Sequence, residues 1–266
     1  MGRKKQQKTK QKSEFDMRLE RIEKELESGK ITLAEALREI ESLKELYKKS
    51  KTDVKDPEQS WHAFIGNRFE KLVRLDIEGF LRKKVGKLGI PTGRILVLKD
   101  TDVGARGNDK KNDKRDYTIL YKKLAIDYGG HKILPDADII IAYYDPVKPE
   151  KSRVLAIISC KTSLRERIAQ ACYWKTKLRS GEETRDIKVF LVTLDKDGDF
   201  KIVSGPSNNK RVRYNGKSRN RVIAEAELDG VYIVRADFKD EGNNVKRYEK
   251  IYDDILKLIE ETVGRT

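Results

Sequence analysis

The chain has 266 residues and carries 59 Lys and Arg against 44 Asp and Glu, a formal net charge of +15. That length holds one sizeable core, or a core with a small appendage. The cationic excess points to nucleic acid as a partner, a generic basic surface being the bland alternative. No run approaches the roughly 20 apolar residues of a membrane helix, so no membrane partner is expected. Two cysteines (Cys160, Cys172) and two histidines (His62, His131) are too scattered for a zinc site. Both cysteines fall in segments expected to be buried, with no signal peptide before them, and read as reduced core thiols of a cytoplasmic protein.

In chain order, residues 1–12 form a basic, polar tail that either touches phosphates non-specifically or is simply solvated. Over residues 14–49, Leu19, Ile22 and Leu26, then Leu37, Ile40, Leu43 and Leu46, recur at helical spacing, with Gly29-Lys30 as a break. This predicts a helical hairpin, and we set residues 1–55 apart from a second unit over 56–266. The hairpin cannot bury its apolar face alone. It docks on its own core, on a second subunit, or as an arm around DNA. Asp56-Pro57-Glu58-Gln59 is a helix start, with Asp56 as N-cap and Pro57 at the first position, and the helix should run to about Val85. On it Gly66, Glu70, Val73 and Ile77 share a face. A carboxylate there wants a cation or a hydrogen-bond partner; Lys71 and Arg74 are the nearby alternatives. A strand follows over 94–99, and residues 101–116, with Arg106, Lys110 and Lys111, read as a mobile basic loop that either folds onto DNA or is merely exposed.

Asp138 precedes the apolar run Ile139-Ile140-Ile141, and Val154 to Cys160 has the same character. The turn residues between them (Asp145-Pro146, Lys148-Pro149) predict a β-hairpin that can bring Asp138 beside Lys161. Alternation puts Ser159 and Lys161 on one side and Cys160 on the other. The alternative makes Asp138 a turn acid and Lys161 a solvated strand end. Asp136, directly after Pro135, is a second candidate acid. Ser163-x-x-Glu166 is a capping-box pattern, predicting a helix from there to about Leu178 with Arg165 and Arg167 in its first turn. Arginine gains nothing from the dipole at that end, so these side chains suggest an anionic partner or base edges. Arginine can pair with guanine and Glu166 with the cytosine amino group, unless Glu166 only caps. Further on we expect a strand over 187–194, a second basic loop over 207–221 (Arg211, Arg213, Lys217, Arg219, Arg221), a strand over 231–236 and a closing helix over 245–263. An acid opening one strand and a lysine closing the next suit Mg²⁺-dependent phosphodiester hydrolysis.

Pro135-Asp136-Ala137-Asp138 followed by Ser159-Cys160-Lys161 resembles the PD-(D/E)xK nuclease core. The run from Cys160 to Arg167 resembles type II restriction endonucleases that read CCGG or interrupted CC-GG sites. The resemblance covers residues 70–178 well and the rest by topology. It implies an α/β fold with a central mixed sheet flanked by helices, here with an N-terminal helical appendage. It also implies Mg²⁺-dependent, site-specific cutting of double-stranded DNA at a short G/C-containing palindrome by a homodimer, leaving 5′-phosphates. Asp138, with Glu70 in support, would hold the metal and Lys161 would stabilise developing charge. Ser159 stands where most nucleases of this core carry an acid. Arg165, Glu166 and Arg167 would contact the G·C pairs, with Arg106, Lys110, Lys111, Arg211 and Arg213 on the backbone. In the resembling group a helix glutamate lies thirteen residues after the lysine; here that position is Trp174. A structure-selective or repair nuclease and a non-catalytic nucleic-acid-binding protein are the other classes considered.

Overall fold

In the computed structural model, whose described residues are 13–51, 54–91, 93–103, 117–164, 167–203 and 212–264, the chain begins with three short helices. The Ser13 hydroxyl caps α1 (Glu14–Glu27) by accepting the Asp16 N–H at 3.1 Å. Thr32 and Glu35 form a reciprocal capping box at the start of α2 (Leu33–Ser42). A second break at Leu43, absent from the sequence expectation, leads into α3 (Lys44–Ser50). Asp56 accepts the Gln59 N–H at 2.9 Å and starts α4 (Pro57–Lys84), as anticipated.

The appendage docks on its own core. Phe15, Leu19, Ile22, Leu26, Ile40 and Tyr47 share one buried cluster with Trp61, Phe69 and Leu72 of α4. Glu23 binds both Arg68 and Lys71 of α4. A Cβ at Gly79 would fall 2.1 Å from the Glu27 carbonyl oxygen, so only glycine lets the end of α1 lie against α4.

After α4 come β1 (Ile95–Leu98), the short α5 (Asp100–Val103) and α6 (Thr118–Leu124), then a small hairpin of β2 (Ile126–Tyr128) and β3 (His131–Ile133). The chain continues through β4 (Ile139–Tyr143), β5 (Arg153–Lys161), α7 (Arg167–Arg179) and β6 (Lys188–Thr193). A second small hairpin, β7 (Val212–Tyr214) with β8 (Lys217–Ser218), leads into α8 (Arg219–Glu227), β9 (Gly230–Ile233), β10 (Val245–Arg247) and α9 (Ile251–Val263).

Six strands form the central sheet in the order β1-β4-β5-β6-β9-β10. The first three are antiparallel and the run from β5 to β10 is parallel, so the sheet is mixed, as expected. Ile139, Ile141, Ile158 and Cys160 pack on one face with residues of α4 and α9. Ile140, Ala142 and Ile157 pack on the other with Ile168 and Ala171 of α7 and Ala224 of α8. Among the described residues no helix is long and apolar enough to cross a membrane.

Two expectations are corrected. The closing helix does not begin at Val245, which is buried and pairs with Val231 as part of a parallel edge strand; helix α9 starts at Ile251. The basic segment 207–221 is not a continuous solvent-facing loop. Its described part is the β7–β8 hairpin and the first turn of α8, and Arg221 is 0% exposed, holding Glu225 at 2.8 Å and the Asp240 carbonyl at 2.7 Å. Arg106, Lys110, Lys111 and Arg211, and the side chain of Arg213, lie outside the described residues.

Candidate active site

The β4–β5 hairpin owes its shape to one buried acid in its turn. Asp145 accepts the N–H groups of Val147 at 2.9 Å and Lys148 at 3.0 Å and the Arg94 guanidinium at 2.5 Å. The Lys148 and Val147 amides with the Arg94 charge hold its carboxyl down at about 2. Ser152 closes the turn by accepting the Asp145 N–H at 2.9 Å. These bonds fix the pairing of Tyr143 with Arg153 at the turn, and a register shift between Ile141 and Ala142 then places Ile139 opposite Ile158. Continuing one step, Asp138 donates its N–H to the Ile158 carbonyl at 3.1 Å and falls opposite Ser159.

Asp138 and Lys161 meet there. The Asp138 Oδ2 accepts from Lys161 Nζ at 2.9 Å and from the Cys160 N–H at 2.6 Å. Their side chains are only 12% and 11% exposed, so neither is a freely solvated strand-end charge. Ser159 and Lys161 are half-buried, whereas Cys160 is buried in the cluster on the opposite face, the alternation read from the sequence. Burial, with the charges of Asp138 and Glu70, raises the Cys160 thiol well above its ordinary value and keeps it neutral. Asp136 is exposed and accepts from Gln170 of α7, and its charge still reaches Glu70.

Glu70 completes the centre from α4. Its two alternative partners are engaged, Lys71 with Glu23 at 2.7 Å and Arg74 with Glu78 at 3.4 Å. Glu70 itself has no hydrogen bond or ion pair to a described residue. Burial and then the negative charge of Asp138 raise its pKa, while Lys161 and Lys99 pull it back. A cation between the two carboxylates would relieve that repulsion, and oxygen donors suit a hard ion such as Mg²⁺. No group of three His, Cys, Asp or Glu that could hold a metal occurs among the described residues. Two carboxylates nonetheless fit an ion that takes one or two from protein and fills its octahedron with water and phosphate. Helix α7 offers no acid at the spacing seen in the resembling enzymes. Trp174 is half-buried there, against the Tyr173 ring at 5.0 Å, with its indole N–H buried and unpartnered among the described residues.

Ser163 and Leu164 are not helical and the described part of α7 runs from Arg167, while Glu166, the other half of the expected capping box, lies outside the described residues. Leu164 is wholly buried; its N–H is held by Asp197 at 3.3 Å and its carbonyl accepts the Arg167 N–H at 2.7 Å. Burying that leucine stabilises the segment by about 1.5–3 kcal/mol. Arg167 is exposed, while Arg165 and Glu166 lie outside the described residues.

Sequence reading passed over Lys99, Gln170 and the turn Asp195-Lys196-Asp197-Gly198-Asp199 that follows β6. The density of aspartate in that turn was the available signal. Asp195 is 1% exposed, at φ +47°, and accepts the Phe200 N–H at 3.3 Å. Burial pushes its carboxyl up to about 6. The native state therefore holds a proton between about pH 4 and 6 that an unfolded aspartate has released, and this contribution to stability is lost as pH rises through 6. Asp195→Asn should melt higher than the unmodified protein at pH 7, with the gap narrowing as pH falls below about 6 and closing near about pH 4; a gap independent of pH in thermal melts would contradict the assignment.

Several known proteins are similar to this chain. The family model for the BsaWI restriction endonuclease type 2 matches residues 107–254. MjaVIP of Methanocaldococcus jannaschii, named as a type II restriction enzyme, is 33% identical over 210 residues, 79% of this chain and 81% of that protein. A Helicobacter pylori protein, also named as a type II restriction enzyme, is 28% identical over 148 residues, 56% of this chain and 67% of that one. The solved complex of restriction endonuclease PspGI with substrate DNA aligns over 93% of each chain at 15% identity, with a TM-score of 0.45.

Proposed function

The chain belongs to the BsaWI family of type 2 restriction endonucleases, and on that premise we propose that it cuts both strands of a short G/C-containing palindrome as a Mg²⁺-dependent homodimer. The observation that carries the reading is the Asp138–Lys161 pair at 2.9 Å with the Glu70 carboxylate, free of hydrogen bonds among the described residues, within its electrostatic reach. Asp138 and Glu70 would hold the Mg²⁺ ion. Bound there, it supplies Lewis acidity at the phosphate and lowers the pKa of an attacking water. Asp138 is oriented by the Cys160 N–H and in turn holds the Lys161 ammonium toward the same point. The Lys161 ammonium then stabilises the charge that develops on the phosphoryl oxygens. Ser159, opposite Asp138, offers a neutral hydroxyl where a third carboxylate would add repulsion, so it can orient water without charge. Water attack that leaves phosphate on the 5′ end accounts for the expected products. Arg165, Glu166 and Arg167 read the G·C pairs, and Arg106, Lys110, Lys111, Arg211 and Arg213 contact the backbone. Two copies related by a twofold axis match a palindrome.

Digestion of a mixed-sequence plasmid with Mg²⁺ tests this. Discrete fragments with 5′-phosphate ends are expected, and their junctions give the site; a sequence-independent smear, or no cutting with any divalent ion, would refute it. Glu70→Gln should raise the Mg²⁺ concentration for half-maximal rate by about tenfold or more, since even indirect supports of a metal commonly contribute ~10–100-fold. A metal titration that does not move would remove Glu70 from the site.

A further inference from the structure

We infer that Asp197 is a positioning residue for target recognition, a conclusion that rests on Arg167 reading bases. Strands β5, β6 and β9 are parallel, with Lys161 beside Thr193 and Thr193 beside Ile233. The turn following β6 therefore rises next to the segment following Lys161. Its aspartates look like the opening of a cation loop, yet each is committed to protein. Asp195 accepts the Phe200 N–H and faces Arg235 at 3.7 Å. Asp199 accepts from the Asn220 amide at 2.9 Å. Asp197 accepts the Leu164 N–H at 3.3 Å, across 33 positions of sequence.

That last bond begins a relay. Leu164 is clamped from two sides: its side chain is 0% exposed, in the same apolar cluster as Phe200, and its N–H sits on Asp197. Its carbonyl accepts the N–H of Arg167, the first residue of α7, at 2.7 Å. The Asp197 carboxylate, itself exposed, thus adds a polar tie to the buried Leu164, and Leu164 in turn holds the N–H of Arg167. The β6 turn is itself rigid, because Phe200 is wholly buried and its carbonyl is held by the buried Arg221. Arginine pairing with a guanine edge demands placement within a few tenths of an ångström, so loosening this support degrades discrimination before it degrades chemistry at Asp138 and Lys161.

The test compares kcat/KM on the site mapped from plasmid fragment ends with kcat/KM on duplexes carrying one altered base pair. Asp197→Ala should lower that ratio about tenfold, with the rate on the mapped site reduced far less and the melting temperature little changed. Asp197→Asn, whose amide oxygen can accept the same N–H, should restore most of the ratio. An unchanged ratio in Asp197→Ala, or an Asn variant as poor as Ala, overturns the inference. Arg167→Ala separates the two levels: if it keeps full discrimination, the reading of Arg167 itself fails, whereas lost discrimination in Arg167→Ala beside an unaffected Asp197→Ala removes Asp197 alone.

Discussion

Lys161→Ala should cut DNA at least about a hundredfold more slowly than the unmodified enzyme while still binding its site, because a positioned charge donor at the reacting centre typically contributes ~10²–10³ in rate. The side chain is only 11% exposed, and among the described residues its ion-pair partner is Asp138 at 2.9 Å. Its removal takes away the ammonium that would meet the phosphate, and it leaves the Asp138 carboxylate facing that phosphate without a counter-charge. Both effects act on the chemical step. Lys161→Arg restores the charge but not the compact geometry, so partial rescue at most is expected. Asp138→Asn should be at least as damaging, since the proposed metal site would lose one of its two carboxylates. Single-turnover cleavage with Mg²⁺ reads the loss, a gel-shift assay without metal reads binding, and a thermal melt excludes unfolding. Cleavage by Lys161→Ala within threefold of the unmodified rate would disprove the assignment.

The largest stability effect is expected at Arg221. Arg221→Ala should destabilise the fold by roughly 4 kcal/mol or more, and lower the melting temperature by about 10 °C. The guanidinium is 0% exposed and joins three stretches of chain: Glu225 on its own helix at 2.8 Å, the Phe200 carbonyl, and the Asp240 carbonyl at 2.7 Å. Truncation strands two carbonyls, each costing about 1–3 kcal/mol when buried. It also leaves Glu225, whose side chain is 7% exposed, with Lys217 as its remaining ion-pair partner. Removing one partner of a buried pair costs about 3–5 kcal/mol. Arg221→Lys keeps the charge without the planar fork and should fall between the two. A melting temperature within about 3 °C of the unmodified protein would show that the surrounding loops do not depend on this side chain.

The parts legible in the sequence are those that local chemistry decides. Apolar runs bounded by Asp145-Pro146 and Lys148-Pro149 could only be a buried hairpin, and alternation along β5 put Ser159 and Lys161 together without reference to any other element. The N-terminus of α4 followed from Asp56-Pro57. Glu70 was found because a carboxylate on an apolar helix face needs an explanation. The parts that were not legible depend on partners far away in the chain. The burial of Leu164 and its bond to Asp197, 33 positions away, could not be read from the local pattern around Ser163. Arg221 sits among solvent-type cations in sequence, while its role is set by carbonyls 19 and 21 positions away. Val245 begins a helix-like pattern, yet the parallel pairing with Val231 claims it first.

The anchoring of Leu164 has a bearing on how such an enzyme changes over generations. Asp138 and Lys161 are placed by the hydrogen-bonded register of two central strands. Arg167 hangs from one leucine and one carboxylate at the mouth of the sheet. On the proposed roles, chemistry and address sit on separable pieces. A lineage that kept Leu164 would then be able to rewrite its neighbours between Thr162 and Arg167 and acquire a new target while the proposed hydrolytic pair stayed intact. The turn from Asp195 to Phe200 would have to travel with them. For engineering, the natural unit of exchange is that pair of segments together, not the recognition stretch by itself.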